Sequence, residues 1–303
     1  MKVLVTGADG FVGRHLVRHL LQSGDEVAAG CRLGGPAVDW ARDTGARPLI
    51  LPLEITQDAS IRDLLAWGPE AVVHLAAVAS VRQARADPGG AWEINAAGTA
   101  RLAAAAAEGR AAGRPEPLVL VVSTGEVYGA GLPGARLETD ALRPVSPYAA
   151  SKVGAEAAAL ETWRRTGLKV VVARPFPHTG AGQSNQYVVP AFAERLRAAR
   201  GSGAATVPTG NLAPIRDLLD VRDVVRAYRL LLEHGEPGEA YNVARGEGMS
   251  LAEVFSRLAA LIGTDAVPLA DPSLVRASDI PHLVGDSTKL RRATGWAPTI
   301  SFD

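Results

Sequence analysis

The feature that most restricts how this chain can fold is a set of three glycines where an apolar run gives way to an amphipathic one. In "VLVTGADGFVGRHL", Gly7, Gly10 and Gly13 follow the strand-like "KVLV" (2–5) and open the helical pattern "FVGRHLVRHLLQSG" (11–24), which Gly24 stops. Glycine serves such a turn in three ways: it permits the tight reversal, lets backbone approach a pyrophosphate, and lets the helix pack closely on the strand. The exposed N–H groups and the positive end of the helix favour phosphate charge. A glycine-rich turn alone can bind nothing. Its position behind the first strand, at G-x-x-G-x-x-G spacing, points to a bound dinucleotide.

The rest of the chain supports the fold this implies. "EVAAG" (26–30), "PLILPL" (48–53), "AVVHLAA" (71–77), "LVLVVS" (118–123) and "KVVVARP" (169–175) read as buried strands, with helical patterns near 58–66, 91–112 and 148–165. Such alternation predicts an α/β protein: a Rossmann-type, doubly wound parallel sheet covered on both faces. After residue 175 Pro and Gly become frequent, strands shorten, and helices are expected at about 188–200, 220–234 and 250–262. The reading is a dinucleotide-binding domain over 1–173, with 216–234 returning to it. Residues 174–215 and 235–303 form a smaller, interleaved substrate-binding domain. No internal repeat and no linker stands out.

Charge and cysteine usage exclude several classes. Lys plus Arg equal Asp plus Glu at 32 each, so there is no general pull toward nucleic acid or an anionic membrane. One cysteine, Cys31, precludes a disulfide framework, and the scattered histidines lack metal-ligand spacing. "MKVLVTG" runs straight into a strand without a secretory signal, and the Ala-rich 103–113 is broken by charge and glycine. A cytoplasmic protein is the expectation.

The end of the second strand chooses the dinucleotide. An acid there accepts from a ribose 2′-hydroxyl, whereas arginine suits a 2′-phosphate. Here "EVAAG" runs into "CRLGG", placing Cys31 where the acid is expected and Arg32 beside it, with no carboxylate to repel a phosphate. NADP(H) is the preferred cofactor and NAD(H) the alternative.

Chemistry concentrates in "VVSTGEVYG" (121–129) and "SPYAASKVGAE" (146–156). Tyr148 and Lys152 lie four apart and share a helix face. A nearby ammonium stabilises a phenolate, so the pair is expected to lower the tyrosine pKa toward the working range and make it a proton donor and acceptor. Thr124, at a strand end, can offer a hydroxyl to the same substrate oxygen.

With these motifs the chain resembles the extended short-chain dehydrogenases/reductases, the family of NAD-dependent nucleotide-sugar epimerases, dehydratases and reductases. "TGADGFVG", "HLAA" (74–77), "NAAGT" (95–99), "STGEVYG", "YAASK", "RPFPHTGAGQ" (174–183), "RDLLDVRDVVRAY" (216–228), "YNV" (241–243) and "TGWAP" (294–298) carry the likeness across nearly the whole chain. The stretch from "GNLAPIRDLLD" to "ARGEGMSL" most resembles GDP-6-deoxy-4-keto-mannose reductases and GDP-mannose 4,6-dehydratases. The resemblance implies a pyrophosphate lined by Gly7, Gly10, Phe11, Val12 and Gly13, and an acid–aliphatic pair, Glu54 and Ile55, beside adenine. Leu75, Ala76, Ala77, Val122, Pro175 and His178 would border the dinucleotide. Thr124, Tyr148 and Lys152 would form the catalytic triad, with Glu126 matching the carboxylate that dehydratases use on a ring proton. Ser80 and Gln183 would face the sugar, and Arg216 and Arg276 would hold a substrate diphosphate as two guanidinium forks.

One position departs from the pattern. Pro177 stands where the family shows asparagine, so one substrate contact is missing, because proline offers neither side-chain amide nor N–H. The implied activity is an NADP(H)-dependent reductase of a nucleotide-activated 4-keto-6-deoxy sugar. The alternatives are a 4,6-dehydratase or 4-epimerase, a dehydrogenase of a non-nucleotide natural product, and a non-catalytic NADP sensor. Helices near 91–112 and 148–165 are the faces on which such relatives pair, which implies a homodimer. Relatives continue into a further helix after a segment like "TISFD", here expected to be strand-like, which implies a trimmed end.

Overall fold

The structure, a computed structural model, describes residues 1–36, 38–40, 45–113, 115–131, 134–275 and 280–302. Strand β1 (Lys2–Thr6), helix α1 (Phe11–Gln22), β2 (Glu26–Cys31), β3 (Leu49–Pro52), α2 (Asp58–Leu65) and β4 (Ala71–His74) make the first half of the main layer. Two short helices, α3 (Val81–Ala86) and α4 (Pro88–Trp92), lead through a π-turn at Glu93–Ala97 into α5 (Gly98–Ala111). Then follow β5 (Leu118–Val122), the two-residue β6 (Ala135–Arg136), α6 (Pro147–Thr166), β7 (Val170–Pro175) and β8 (His178–Thr179). The remainder comprises α7 (Val188–Ser202), β9 (Thr206–Thr209), β10 (Ile215–Asp217), β11 (Leu219–Asp220), α8 (Val221–His234), β12 (Ala240–Val243), β13 (Gly248–Ser250), α9 (Leu251–Ile262), β14 (Val267–Ala270), β15 (His282–Gly285) and α10 (Thr288–Thr294).

Seven strands form one parallel sheet in the order β12-β7-β5-β4-β1-β2-β3. This is a Rossmann-type α/β fold, and its order reverses between β1 and β4. Alternation along β1 sends Val3 and Val5 into a core shared with Leu16 and Leu20 of α1 and Tyr228 and Leu231 of α8. Leu4 points the other way, to Ile61, Leu64 and Leu102. Because both faces are buried, the strands read as unbroken apolar runs.

A second sheet, β13-β10-β15-β6, carries the segments outside the main layer. Phe192 and Leu196 of α7 pack on Val254 and Phe255 of α9 in a core of their own. A small cluster of Val127, Tyr128, Phe176, Ala244 and Leu283 joins the two parts. Two details depart from the sequence reading. Strand β12 falls within 235–303, the stretch assigned to the substrate domain, yet it pairs with β7 at the edge of the main sheet. The tail forms no strand over 297–302: the N–H groups of Thr299 and Ile300 both donate to the Asp223 carboxylate at 3.0 Å. Among the described residues no helix is long and apolar enough to cross a membrane.

Candidate active site

The carboxyl ends of the strands on either side of the order reversal open a crevice, the usual ligand position in such sheets. Gly7 sits there at φ +66°, so close to the next strand end that a Cβ would meet the backbone N of Ala76 at 2.8 Å. A Cβ on Gly13 would lie 2.3 Å from the Gly7 carbonyl oxygen, so the helix can pack on the turn only with glycine there. Gly10 precedes α1 with no side chain capping the helix start. Phe11 and Val12 begin the helix, and the N–H groups of Leu75 and Ala76 donate to the Thr6 hydroxyl at 3.1 and 3.2 Å. The glycine turn and 75–77 thus border one crevice whose wall is backbone, which fits a dinucleotide pyrophosphate.

His74 ties this wall to α5. The Thr99 hydroxyl donates to the Asn95 carbonyl at 2.6 Å, so it accepts from His74 Nε2 at 3.1 Å. His74 Nδ1 is then an acceptor, taking the Thr6 hydroxyl proton at 2.8 Å. Burial, and then the charge of Lys152, push His74 down to about 3. It is a neutral structural residue.

The residues expected to react come from the end of β5 and the start of α6. Ser146 caps α6 by accepting from the Ala149 N–H at 3.1 Å, and Pro147 takes the first helical position, where its missing N–H costs nothing. One turn of helix then presents Tyr148 and Lys152 together. Thr124, buried just beyond β5, places its hydroxyl close enough to the Tyr148 phenol to favour its ionised form. Lys152 reaches back under the strand to donate to the Val122 carbonyl at 2.7 Å. Glu126, in the 3₁₀ turn Gly125–Tyr128, is close enough for its charge to act on Tyr148 and on Tyr187.

Electrostatics here differ from the sequence expectation. Burial and the Glu126 charge push the Tyr148 phenol above its ordinary 10, with only the nearby Thr124 hydroxyl opposing. Burial lowers Lys152 to about 8 against the opposing charge of Glu156. Desolvation of the phenolate outweighs any help from the ammonium, which is directed at a carbonyl. The pair is therefore a protonated phenol above an ammonium that titrates just beyond neutrality.

The other predicted residues are placed as follows. His178 stacks on Phe11, with ring centroids 6.3 Å apart and 10° between planes, and donates from Nδ1 to the Phe176 carbonyl at 2.9 Å. Pro175 ends β7, beside Val243. Gln183 is turned inward, accepting from Thr179 Oγ1 at 2.8 Å and donating to the His178 carbonyl at 3.0 Å, so it braces the 178–183 loop. Ser80 caps α3, accepting from the Gln83 N–H at 3.3 Å. Glu54 directs its carboxylate onto the Thr56 hydroxyl at 2.8 Å, while Ile55 is buried against Gly98. Arg216 donates from Nη1 to the carbonyls of Ile215 and Ile280 at 2.8 and 2.7 Å, in the second sheet. Pro177 passes its carbonyl to the Leu219 N–H at 3.0 Å. Arg276 lies outside the described residues. No group of three metal-ligating side chains occurs among the described residues.

The structure adds residues that sequence reasoning passed over. Asn95, inside the π-turn, holds Val78 by both its N–H (2.8 Å) and carbonyl (3.1 Å) and donates to Ser151 Oγ at 2.9 Å. Ser151 in turn donates to the Tyr148 carbonyl at 2.8 Å, so the Asn95 amide fixes the first turn of α6. π-turns concentrate at functional sites, but nothing in the sequence marks one. Asp9 is the second. Its charge acts on Cys31 and its Oδ2 would lie 2.4 Å from a Cβ on Gly35, so a carboxylate does stand at the end of β2, contrary to the sequence reading.

Fold and site together define a short-chain dehydrogenase/reductase of the extended type, an enzyme that uses NAD(P). The chain belongs to the NAD dependent epimerase/dehydratase family, whose model matches residues 3–244. It is 33% identical to GDP-6-deoxy-D-mannose reductase of Pseudomonas aeruginosa, over 99% of this chain and 93% of that one. Among solved structures it resembles RMD from Pseudomonas aeruginosa complexed with NADPH, with TM-score 0.80 and 33% identity over 99% of this chain and 95% of that one. It resembles equally DesIV, a dTDP-glucose 4,6-dehydratase from Streptomyces venezuelae with NAD and TYD bound, with TM-score 0.86 and 30% identity over 100% and 93%.

Proposed function

We propose that this protein reduces the C4 ketone of a nucleotide-activated 4-keto-6-deoxy sugar, with NADPH as donor. The observation that supports the reading is a buried phenol, Tyr148, held in its protonated form close to the Thr124 hydroxyl. A reductase needs a proton donor at the moment a carbonyl oxygen becomes an alkoxide, and a phenol with a raised pKa arrives loaded. A dehydratase or epimerase must first remove a hydroxyl proton, which calls for the phenolate that burial and Glu126 oppose. Similarity to a GDP-6-deoxy-D-mannose reductase supports the same direction, and the relative complexed with NADPH, together with Arg32, supports the donor.

Reduced nicotinamide, when bound, supplies the hydride to the carbonyl carbon. Tyr148 gives its phenolic proton to the oxygen that has gained the electron pair, and Thr124 hydrogen-bonds to that oxygen and holds it in register with the phenol. Lys152, fixed on the Val122 carbonyl, keeps positive charge beneath the tyrosine once the phenol has given up its proton. Arg216 and Arg276 are assigned to the diphosphate, so that binding energy far from the reacting carbon orients it. The test is a panel of GDP-, dTDP- and UDP-linked 4-keto-6-deoxy sugars with NADPH, followed by loss of nicotinamide absorbance. Stoichiometric consumption with one of them is the expected result. Turnover of a 4-hydroxy sugar with no net change in cofactor would instead establish the second reading, a dehydratase or 4-epimerase.

A further inference from the structure

Position 31, where doubly wound sheets of this kind place the acid that binds an adenosine ribose, is Cys31, yet a carboxylate reaches the same place from elsewhere in the chain. Asp9, in the turn after β1, extends over the turn Arg32–Gly35, which is closed by the Gly35 N–H donating to the Arg32 carbonyl at 3.0 Å. Its Oδ2 lies so near Gly35 that a Cβ there would meet it at 2.4 Å. Asp9, Cys31, Arg32, Gly34 and Gly35 line one cleft of about 430 Å³. Among the described residues, the hydrogen bond to Asp9 runs from Arg14 Nε to its backbone carbonyl, at 2.8 Å, and none reaches the carboxylate. An acceptor without a donor thus stands in the same cleft as Arg32, which is exposed.

We propose that Asp9 is a cofactor-specificity residue: its carboxylate replaces the acid missing at Cys31, accepts from the 2′-hydroxyl of NAD(H) and repels the 2′-phosphate of NADP(H). Arg32 acts in the opposite sense, since a guanidinium fork suits a phosphate and gains little from a hydroxyl. With both charges at one cleft, the wild-type chain binds the two dinucleotides with affinities within about tenfold of each other. This deepens the proposed reductase reading at its donor alone. It rests on dinucleotide binding rather than on the identity of the sugar.

The experiment is calorimetric titration of NADPH and NADH, without sugar, into wild type, Asp9→Asn and Arg32→Gln. The Asp9→Asn change should raise the preference for NADPH over NADH by about five- to tenfold, the size of one partly exposed charge contact, and Arg32→Gln should lower it similarly. A preference that Asp9→Asn leaves unchanged, or a wild-type preference beyond about a hundredfold for either dinucleotide, overturns the assignment. Should Asp9→Asn fail to fold, as a lowered melting temperature without cofactor would reveal, Asp9→Ser removes the same charge and decides the question. The sugar panel above can fail without touching this result, and the reverse also holds.

Discussion

Arg174 and Glu156 form a buried, two-point ion pair one helical turn beyond Lys152. Arg174 Nη2 lies 2.7 Å from Glu156 Oε2 and Nε lies 3.0 Å from Oε1, with the side chains 7% and 4% exposed. The remaining guanidinium nitrogen donates to the Tyr128 hydroxyl at 2.9 Å and the Glu138 carbonyl at 3.1 Å, and Tyr128 donates on to Asn242 Oδ1 at 2.7 Å. One network thereby fastens α6 to β7, β12 and the turn that carries Glu126. Replacing Glu156 with Gln strands a buried guanidinium, so urea unfolding should show a loss of about 3–5 kcal/mol. Unchanged stability would mean that the pair is not closed.

The same carboxylate sets where the reaction fails in alkali. Lys152 titrates at about 8 because burial outweighs the charge of Glu156, while Tyr148 titrates above its ordinary 10. Reduction needs the phenol protonated and is helped by the ammonium. The rate should therefore hold through neutral pH and fall as pH rises through about 8, with one group responsible. In Glu156→Gln the Lys152 pKa falls further, and the alkaline limb should move to lower pH. A limb that stays in place would show that Lys152 is not the titrating group.

Tyr148→Phe removes the proton donor and leaves the helix intact, so kcat should drop by about 10²–10⁴-fold while dinucleotide affinity is kept. Thr124→Val removes the hydroxyl close to the phenol and should cost less than Tyr148→Phe does. Single-turnover absorbance and binding titrations check both. Retained turnover in Tyr148→Phe would end the mechanism.

Those candidate groups are legible because each depends on local spacing. The glycine turn needs a strand before it and a helix after it, and Tyr148 and Lys152 need one turn of helix. Asp9 and Cys31 lie 22 residues apart, and no local rule places a loop carboxylate at the end of the neighbouring strand; only the β1–β2 pairing brings them together. Asn95 was hidden likewise, because its partners Val78 and Ser151 come from two other segments. Tyr148 misled for a different reason. Spacing predicted an ammonium that would lower the phenol's pKa, but Lys152 is directed at the Val122 carbonyl, and the pKa depends on burial, which the sequence does not report.

His74 should govern acid sensitivity. In the folded chain burial and Lys152 hold it at about 3, against 6.5 when unfolded. The unfolded state therefore takes up a proton that the folded state refuses. The stability His74 contributes is complete above about 6.5 and is lost as pH falls toward 3, by a few kcal/mol. Asp217 works with opposite sign. Burial raises it to about 6 despite three backbone N–H donors, so its contribution is greatest below its ordinary 3.8 and fades as pH rises through about 6. His74→Gln should flatten the fall in melting temperature between pH 6.5 and 4, and a fall as steep as wild type would show that His74 is charged in the folded state.

Asn95 tests whether the π-turn matters to catalysis or only to folding. Its amide joins Val78, beside the dinucleotide wall, to Ser151, which holds the Tyr148 carbonyl. Asn95→Ala leaves the backbone groups of Val78 without partners, at a cost of about 1–3 kcal/mol, and frees the first turn of α6. If that turn positions the phenol, kcat should fall by about tenfold or more, because misplacing a reacting group by an ångström is costly. KM and dinucleotide affinity should change little. A purely structural role predicts the opposite split: a lower melting temperature with kcat per folded molecule unchanged. Measuring both on the same preparation, with Ser151→Ala to cut the link to α6 while keeping both Asn95–Val78 bonds, separates the two, since only the positioning role leaves that variant more stable than Asn95→Ala yet slow.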